Sequence, residues 1–321
     1  MILLTGGAGF IGSCFLKFLN DNGFFDIIVV DHLSKSEKWK NLVGKKFIDY
    51  YNKDEFLYFF ESKKFTNIKF DAIFHLGACT NTYESNVDYL ISNNFRYSVR
   101  LAQYAAEKDI RFVYASSAAT YGAGELGYDD NLVFELKPLN PYGYSKYLFD
   151  CWVVKNGLDK QFVGLKFFNV YGPNEYHKGE MASMVFKSFN QVRGTGKIKL
   201  FKSNHPEFSD GEQKRDFIYV KDVVSLIWLV FEKGLAGIYN IGTGKARSWN
   251  SLAFAVFSCL GVNPGIEYID IPKELEQQYQ NFTQAKMDKL ISKVGNFEFT
   301  SLEDGVSDYI NNFLLKDWKY M

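Results

Sequence analysis

Tyr142 and Lys146 stand four residues apart in Pro141-Tyr142-Gly143-Tyr144-Ser145-Lys146. On a helix that spacing puts both side chains on one face, one turn apart. A free tyrosine has a pKa near ~10 and is a poor base at neutral pH. An ammonium beside it favours the phenolate and is expected to lower that value, making the phenol an acid/base for a hydroxyl or carbonyl. Solvated helix faces carry the same spacing, so the reading depends on the elements that would hold the pair in a cleft.

Those elements begin at the N-terminus. Ile2-Leu3-Leu4 has the continuous apolar character of a buried parallel strand. Thr5-Gly6-Gly7-Ala8-Gly9-Phe10-Ile11-Gly12 follows, then a helical apolar pattern through Phe15, Leu16 and Leu19. Glycines at 6, 9 and 12 allow a tight turn and let a pyrophosphate approach the backbone at a helix N-terminus. A second apolar run, Ile27 to Val30, ends in Asp31, about twenty residues on, where an acid accepts hydrogen bonds from an adenosine ribose. The pattern predicts a dinucleotide-binding unit. Asp31 alone would repel a 2′-phosphate, but His32, Lys35, Lys38 and Lys40 follow it. As phosphate partners they favour NADP; as a solvated basic loop they leave NAD possible.

Two further strands point at the same edge. Ala72 to Leu76 leads into Gly77-Ala78-Cys79-Thr80, a small-residue turn suited to backbone passing a cofactor. Phe112 to Ala115 ends in Ser116-Ser117, and ligands of open α/β sheets bind outside such strand ends. Asn93-Asn94 lies where its amides could brace those ends, and His75 reads as a packed strand histidine. Alternating strand and helix patterns to about Phe168 predict an α/β Rossmann fold, a doubly wound parallel sheet with a smaller interleaved C-terminal substrate-binding lobe. Residues 1–168 with 216–244 are assigned to the dinucleotide domain, and 169–215 with 245–321 to the lobe. Phe217 to Tyr219, then Asp222 to Val230 and Ile238 to Ile241, are expected to rejoin the sheet domain.

Composition narrows the class. The 321 residues carry 37 basic and 37 acidic side chains, so no nucleic-acid or membrane-surface partner is indicated. Cysteines at 14, 79, 151 and 259 lack metal-ligand spacing and read as reduced thiols, with no metal site. No apolar run reaches the ~18 residues of a membrane span, and Met1 to Thr5 leaves no room for a signal peptide. A soluble, cytoplasmic enzyme is expected.

With these pieces the chain resembles the extended short-chain dehydrogenase/reductases that act on nucleotide sugars. The glycine turn, Ser117-Ala118-Ala119-Thr120-Tyr121-Gly122, and Tyr142 with Lys146 carry the likeness. It implies Ser117, Tyr142 and Lys146 as a catalytic triad, with Lys146 also holding the nicotinamide ribose. Dehydratases of that group place acids where Ala118 and Ala119 stand, so transient oxidation, as in an epimerase, fits better than elimination.

The run from Asn169 through Asn174-Glu175-Tyr176-His177-Lys178-Gly179-Glu180-Met181-Ala182-Ser183 is similar to one family in particular, the ADP-L-glycero-D-manno-heptose 6-epimerases. Arg215-Asp216-Phe217 and Tyr279 to Ala285 add to the similarity. It implies Lys178 as a second proton carrier facing Tyr142, and Ser117, Asn169, Phe201, Arg215 and Tyr279 as contacts for an ADP-heptose. Glu180 and Lys187, which stand where the family has serine and histidine, belong to the same set. The dinucleotide is expected on Gly6, Gly9, Phe10, Ile11, Gly12, Asp31, His32, Lys38, Lys53, Leu76, Gly77, Ala78, Cys79, Asn93 and Val170, with Tyr142, Lys146 and Lys178. The resemblance further implies a homo-oligomer, commonly a pentamer, and lipopolysaccharide core biosynthesis. Taken without the resemblance, Lys178 could be a solvated loop lysine and Arg215 a salt-bridge partner of Asp216 or Asp210. The rival readings are a UDP-sugar 4-epimerase, which has no need of Lys178 as a base, a small-carbonyl reductase, and a non-catalytic dinucleotide-sensing protein. The complete triad argues against the last.

Overall fold

The computed structural model describes residues 1–62, 68–276 and 279–321. Its centre is a seven-stranded parallel sheet built from β1 (Ile2–Thr5), β2 (Ile27–Asp31), β3 (Asp49–Asn52), β4 (Ala72–His75), β5 (Arg111–Ser117), β6 (Val163–Phe167) and, later in the chain, β10 (Gly237–Ile241). Its order is β10-β6-β5-β4-β1-β2-β3, so the direction of winding reverses between β1 and β4. A crevice opens at such a reversal, outside the C-terminal strand ends. Register carries the small residues to that edge together: Thr5 pairs with His75 and Ser117 with Phe167.

Alternate strand residues feed two different cores, as a period of two requires when helices cover both faces. Leu4, Val29, Phe74 and Val113 pack with Phe15, Leu16, Val223 and Ile227. Their neighbours Leu3, Ile28, Ile73 and Phe112 pack with Leu101, Ala102, Phe149 and Val153.

The remaining strands are β7 (Asn169–Tyr171), β8 (Ile198–Phe201), β9 (Lys214–Tyr219), β11 (Ala246–Ser248) and β12 (Ile266–Ile269). They form a three-stranded sheet, β11-β9-β7, and a parallel pair, β12-β8. Of the segments expected to rejoin the sheet domain, Ile238 to Ile241 pairs with β6 in the central sheet, whereas Phe217 to Tyr219 lies in β9, paired with β7. The reason is Asp216. Its buried carboxylate accepts from the backbone N–H of Thr243, Gly244 and Ala285, which fastens β9 to the loop beyond β10 and to the C-terminal segment.

Candidate active site

The helix Pro141–Lys155 carries Tyr142 and Lys146. Asn140 caps it, its side chain accepting from Gly143 N–H at 2.8 Å, and Pro141 occupies the first turn, where no hydrogen-bond donor is needed. Such a cap is worth about 1 kcal/mol. One turn in, Tyr142 and Lys146 are both buried. Tyr142 hydrogen-bonds the Ser117 hydroxyl at the end of β5, and Lys146 Nζ donates to the Ala115 carbonyl at 2.8 Å. Ser117, Tyr142 and Lys146 line one cavity of about 380 Å³ with Asn169, Val170 and Lys178.

The expected lowering of the tyrosine pKa is not found in this cleft. Burial raises Tyr142 above its ordinary value, and only the Ser117 hydrogen bond opposes it. Burial also pulls Lys146 down to about 8, with Asp150 opposing the change. The spacing brings the two groups into one cavity, and in that cavity burial is the largest influence on each.

At the glycine turn Gly6 has φ +73°, and a Cβ on Gly12 would lie 2.0 Å from the Gly6 carbonyl oxygen. Neither position admits a side chain. The helix Phe10–Asp21 begins at Gly9 with no side-chain cap and no acid in its first turn, leaving its N–H groups open to an anion. Gly6, Gly9, Phe10, Ile11, Gly12, Asp31, Lys38, Leu76, Gly77, Ala78 and Cys79 line a second cavity of about 560 Å³, which Lys178 and Glu180 also border. Phe10, Ile11, Leu76, Ala78 and Lys178 are common to both cavities, so the two form one cleft. A third recess gathers His32, Lys53, Asn93 and Asp31. Asn93 Oδ1 is buried there without a partner among the described residues, an acceptor open to a donor.

Asp31 accepts from Ala8 N–H at 2.8 Å and His32 N–H at 2.6 Å, and Lys38 forms an ion pair with it. Asn94, rather than Asn93, is the brace: its amide accepts from Cys79 N–H at 2.8 Å and donates to Cys79 carbonyl and Ser145 Oγ, each at 3.0 Å. These two asparagines sit in a π-helical segment, Ile91–Arg96, a distortion common beside functional sites. His75 is the packed histidine expected, held between Thr5 and Ser98 hydroxyls.

Lys178 is not a solvated loop lysine. It is partly buried with Nζ 5.3 Å from the Phe10 ring centre, and burial lowers its pKa while Glu175 opposes the change. Arg215 is not in a surface salt bridge either. It is buried between two rings, 5.2 Å from Tyr279 and 5.4 Å from Trp249, and Phe201 meets Tyr279 edge-on at 5.9 Å. Trp249, which lines the cavity of Tyr142, links this aromatic cluster to the cleft; local sequence pattern carried no sign of it. Glu180 and Lys187 instead pair with each other at 3.2 Å on the surface, and Lys187 is not among the residues lining the cleft.

A family model for the NAD dependent epimerase/dehydratase family matches residues 2–242. The ADP-L-glycero-D-manno-heptose-6-epimerase of Nitratidesulfovibrio vulgaris is 50% identical over 98% of both chains. That of Fusobacterium nucleatum is 47% identical over the whole of both. The crystal structure of the Helicobacter pylori ADP-L-glycero-D-manno-heptose-6-epimerase superposes with a TM-score of 0.82 at 31% identity, covering 97% of this chain and 95% of that one. A nicotinamide dinucleotide is the cofactor such membership implies, and the open helix N-terminus, Asp31 and the unpartnered Asn93 oxygen fit one. The chain belongs to the NAD dependent epimerase/dehydratase family and, within it, to the ADP-L-glycero-D-manno-heptose-6-epimerases.

Proposed function

We propose that the protein inverts C6″ of ADP-D-glycero-D-manno-heptose, giving the L-glycero epimer, with tightly held NADP and two proton carriers. The observation that carries this reading is the presence of Lys178 in the same cavity as Ser117 and Tyr142. A 4-epimerase using one tyrosine has no chemical need for that lysine.

The bound dinucleotide would accept a hydride and return it. The chain's own residues move the proton. Tyr142 Oη or Lys178 Nζ takes the C6″ hydroxyl proton, leaving a planar ketone, and the other returns a proton once the opposite face has been reduced. Ser117 Oγ hydrogen-bonds the reacting oxygen. Lys146 Nζ would hold the ribose hydroxyls of the dinucleotide. Arg215, held between Tyr279 and Trp249, would meet the diphosphate of the substrate; its fixed guanidinium plane supports that role. In this reading residues 1–168 with 216–244 serve the dinucleotide, and 169–215 with 245–321 serve the sugar. The Lys38–Asp31 ion pair supports NADP, because it cancels the charge that would repel a 2′-phosphate.

Incubation with ADP-D-glycero-D-manno-heptose and, separately, UDP-glucose, followed by NMR of the sugar, tests the assignment. Conversion of the heptose alone, without net change in NADPH absorbance, is expected. Conversion of UDP-glucose instead would establish the 4-epimerase, and stoichiometric NADPH loss a reductase.

A further inference from the structure

The turn that bears Lys178 is closed by a carboxylate that no solvent reaches. Glu175 is fully buried. One of its oxygens accepts from Ser183 Oγ at 2.7 Å and from Gly172 N–H at 3.4 Å; the other accepts from Ser183 N–H at 2.5 Å. Gly172 and Ser183 are the two ends of the loop between β7 and the helix Met184–Thr195. A single side chain thus ties entry and exit together, and Lys178 N–H donates to the Glu175 carbonyl at 3.0 Å inside the loop. Two residues of the turn, Asn174 at φ +74° and Gly179 at φ +53°, lie in the left-handed region.

We propose that Glu175 is the positioning residue for Lys178, closing the turn that presents the lysine to the cleft and placing a carboxyl group three residues from it. The inference rests on the reading of Lys178 as a proton carrier, and extends it to a group outside the cavity.

Charge as well as geometry supports the pairing. Burial favours the neutral form of both groups, and each opposes that effect on the other. The other titratable groups facing Glu175 are Cys14, Tyr176 and Tyr309, all pushed upward by burial and therefore neutral near pH 7. His177 faces Lys178 and is held down to about 4, also neutral. Glu175 is the carboxylate that opposes the effect of burial on Lys178, as Lys178 opposes it on Glu175.

The test reads Lys178 directly. Its reaction with trinitrobenzenesulfonate, followed by peptide mass spectrometry across a pH series, reports the fraction of free amine without any substrate. Glu175→Gln should move the labelling midpoint to lower pH and reduce kcat by at least about tenfold, with a smaller change in KM. Glu175→Asp, which keeps the charge, should restore the midpoint towards that of the wild type. An unmoved midpoint in Glu175→Gln overturns the proposal, even if stability falls. Should Glu175→Gln not fold, Ser183→Ala serves. It removes one tie and keeps the carboxylate, and kcat must again fall about tenfold at an unchanged midpoint; wild-type kcat would overturn the positioning role. Failure of the broader reading looks different: Lys178→Met would then retain epimerisation whatever the labelling shows.

Discussion

Lys166 Nζ lies 2.7 Å from Asp150 Oδ2, with neither side chain reaching solvent. Ser116 donates to the same oxygen at 2.7 Å and Tyr114 to the other at 3.1 Å, while Lys166 also donates to Thr120 at 2.7 Å. The network ties β5 and β6 to the helix of Tyr142 and Lys146, one turn beyond Lys146. Removing one partner leaves an uncompensated buried charge. Asp150→Asn or Lys166→Met should each cost about 3–5 kcal/mol, and the double change should recover much of that. Urea unfolding of all four proteins measures the coupling; additive losses would mean that the ion pair is not the source.

Tyr142 should be indispensable to turnover yet nearly neutral for stability. Tyr142→Phe deletes one hydroxyl whose partner, Ser117 Oγ, retains a second bond to Ala119 N–H at 3.1 Å. Its removal is expected to cost about 10²–10⁴ in kcat, the range for a positioned acid/base. NMR of the heptose gives the rate, and absorbance of the released dinucleotide shows whether the cofactor is still held. A rate within tenfold of wild type, with cofactor bound, would remove Tyr142 from the mechanism.

What could be read from sequence alone divides along physical lines. Buried parallel strands announce themselves as continuous apolar runs, so β1, β2, β4 and β5 were legible, as was the glycine turn that only small residues can make. Tyr142 and Lys146 were legible because helical spacing is local. The sense of the Tyr142 pKa shift was not, since it depends on burial, which spacing does not encode. The Trp249–Arg215–Tyr279 stack joins Arg215 to rings 34 and 64 residues further along the chain, and only the fold makes them neighbours. β9 misled for the same reason: its apolar run is that of a buried strand, but Asp216 decides which sheet receives it.

Cofactor preference should turn on Lys38. Its ion pair with Asp31 is partly buried, at the mouth of the recess that also holds His32 and Lys53. Lys38→Ala would leave Asp31 as an unopposed negative charge beside the ribose. NADP should then bind roughly tenfold more weakly, a loss of about 1.4 kcal/mol, while NAD is little affected. Calorimetry on protein stripped of nucleotide gives both constants. Equal losses for the two dinucleotides would show that Lys38 supports the loop and does not discriminate the phosphate.

His75 should make the protein acid-sensitive. Both ring nitrogens are engaged, Nδ1 with Thr5 Oγ1 at 2.6 Å and Nε2 with Ser98 Oγ at 2.7 Å. Burial, with a smaller contribution from Lys146, lowers its pKa to about 3 from the ordinary 6.5. Between those values the unfolded chain carries the extra proton, so stability rises with pH across the window. The contribution is complete above about pH 6.5 and is lost as pH falls towards 3. At about 1.4 kcal/mol per pH unit, moving from pH 7.5 to 4.5 should cost roughly 2–3 kcal/mol through this residue. His177, held at about 4, acts in the same sense, so the informative quantity is a difference. In urea melts at the two pH values, His75→Gln should lose less stability on acidification than the wild type does. Identical losses would place the acid sensitivity elsewhere.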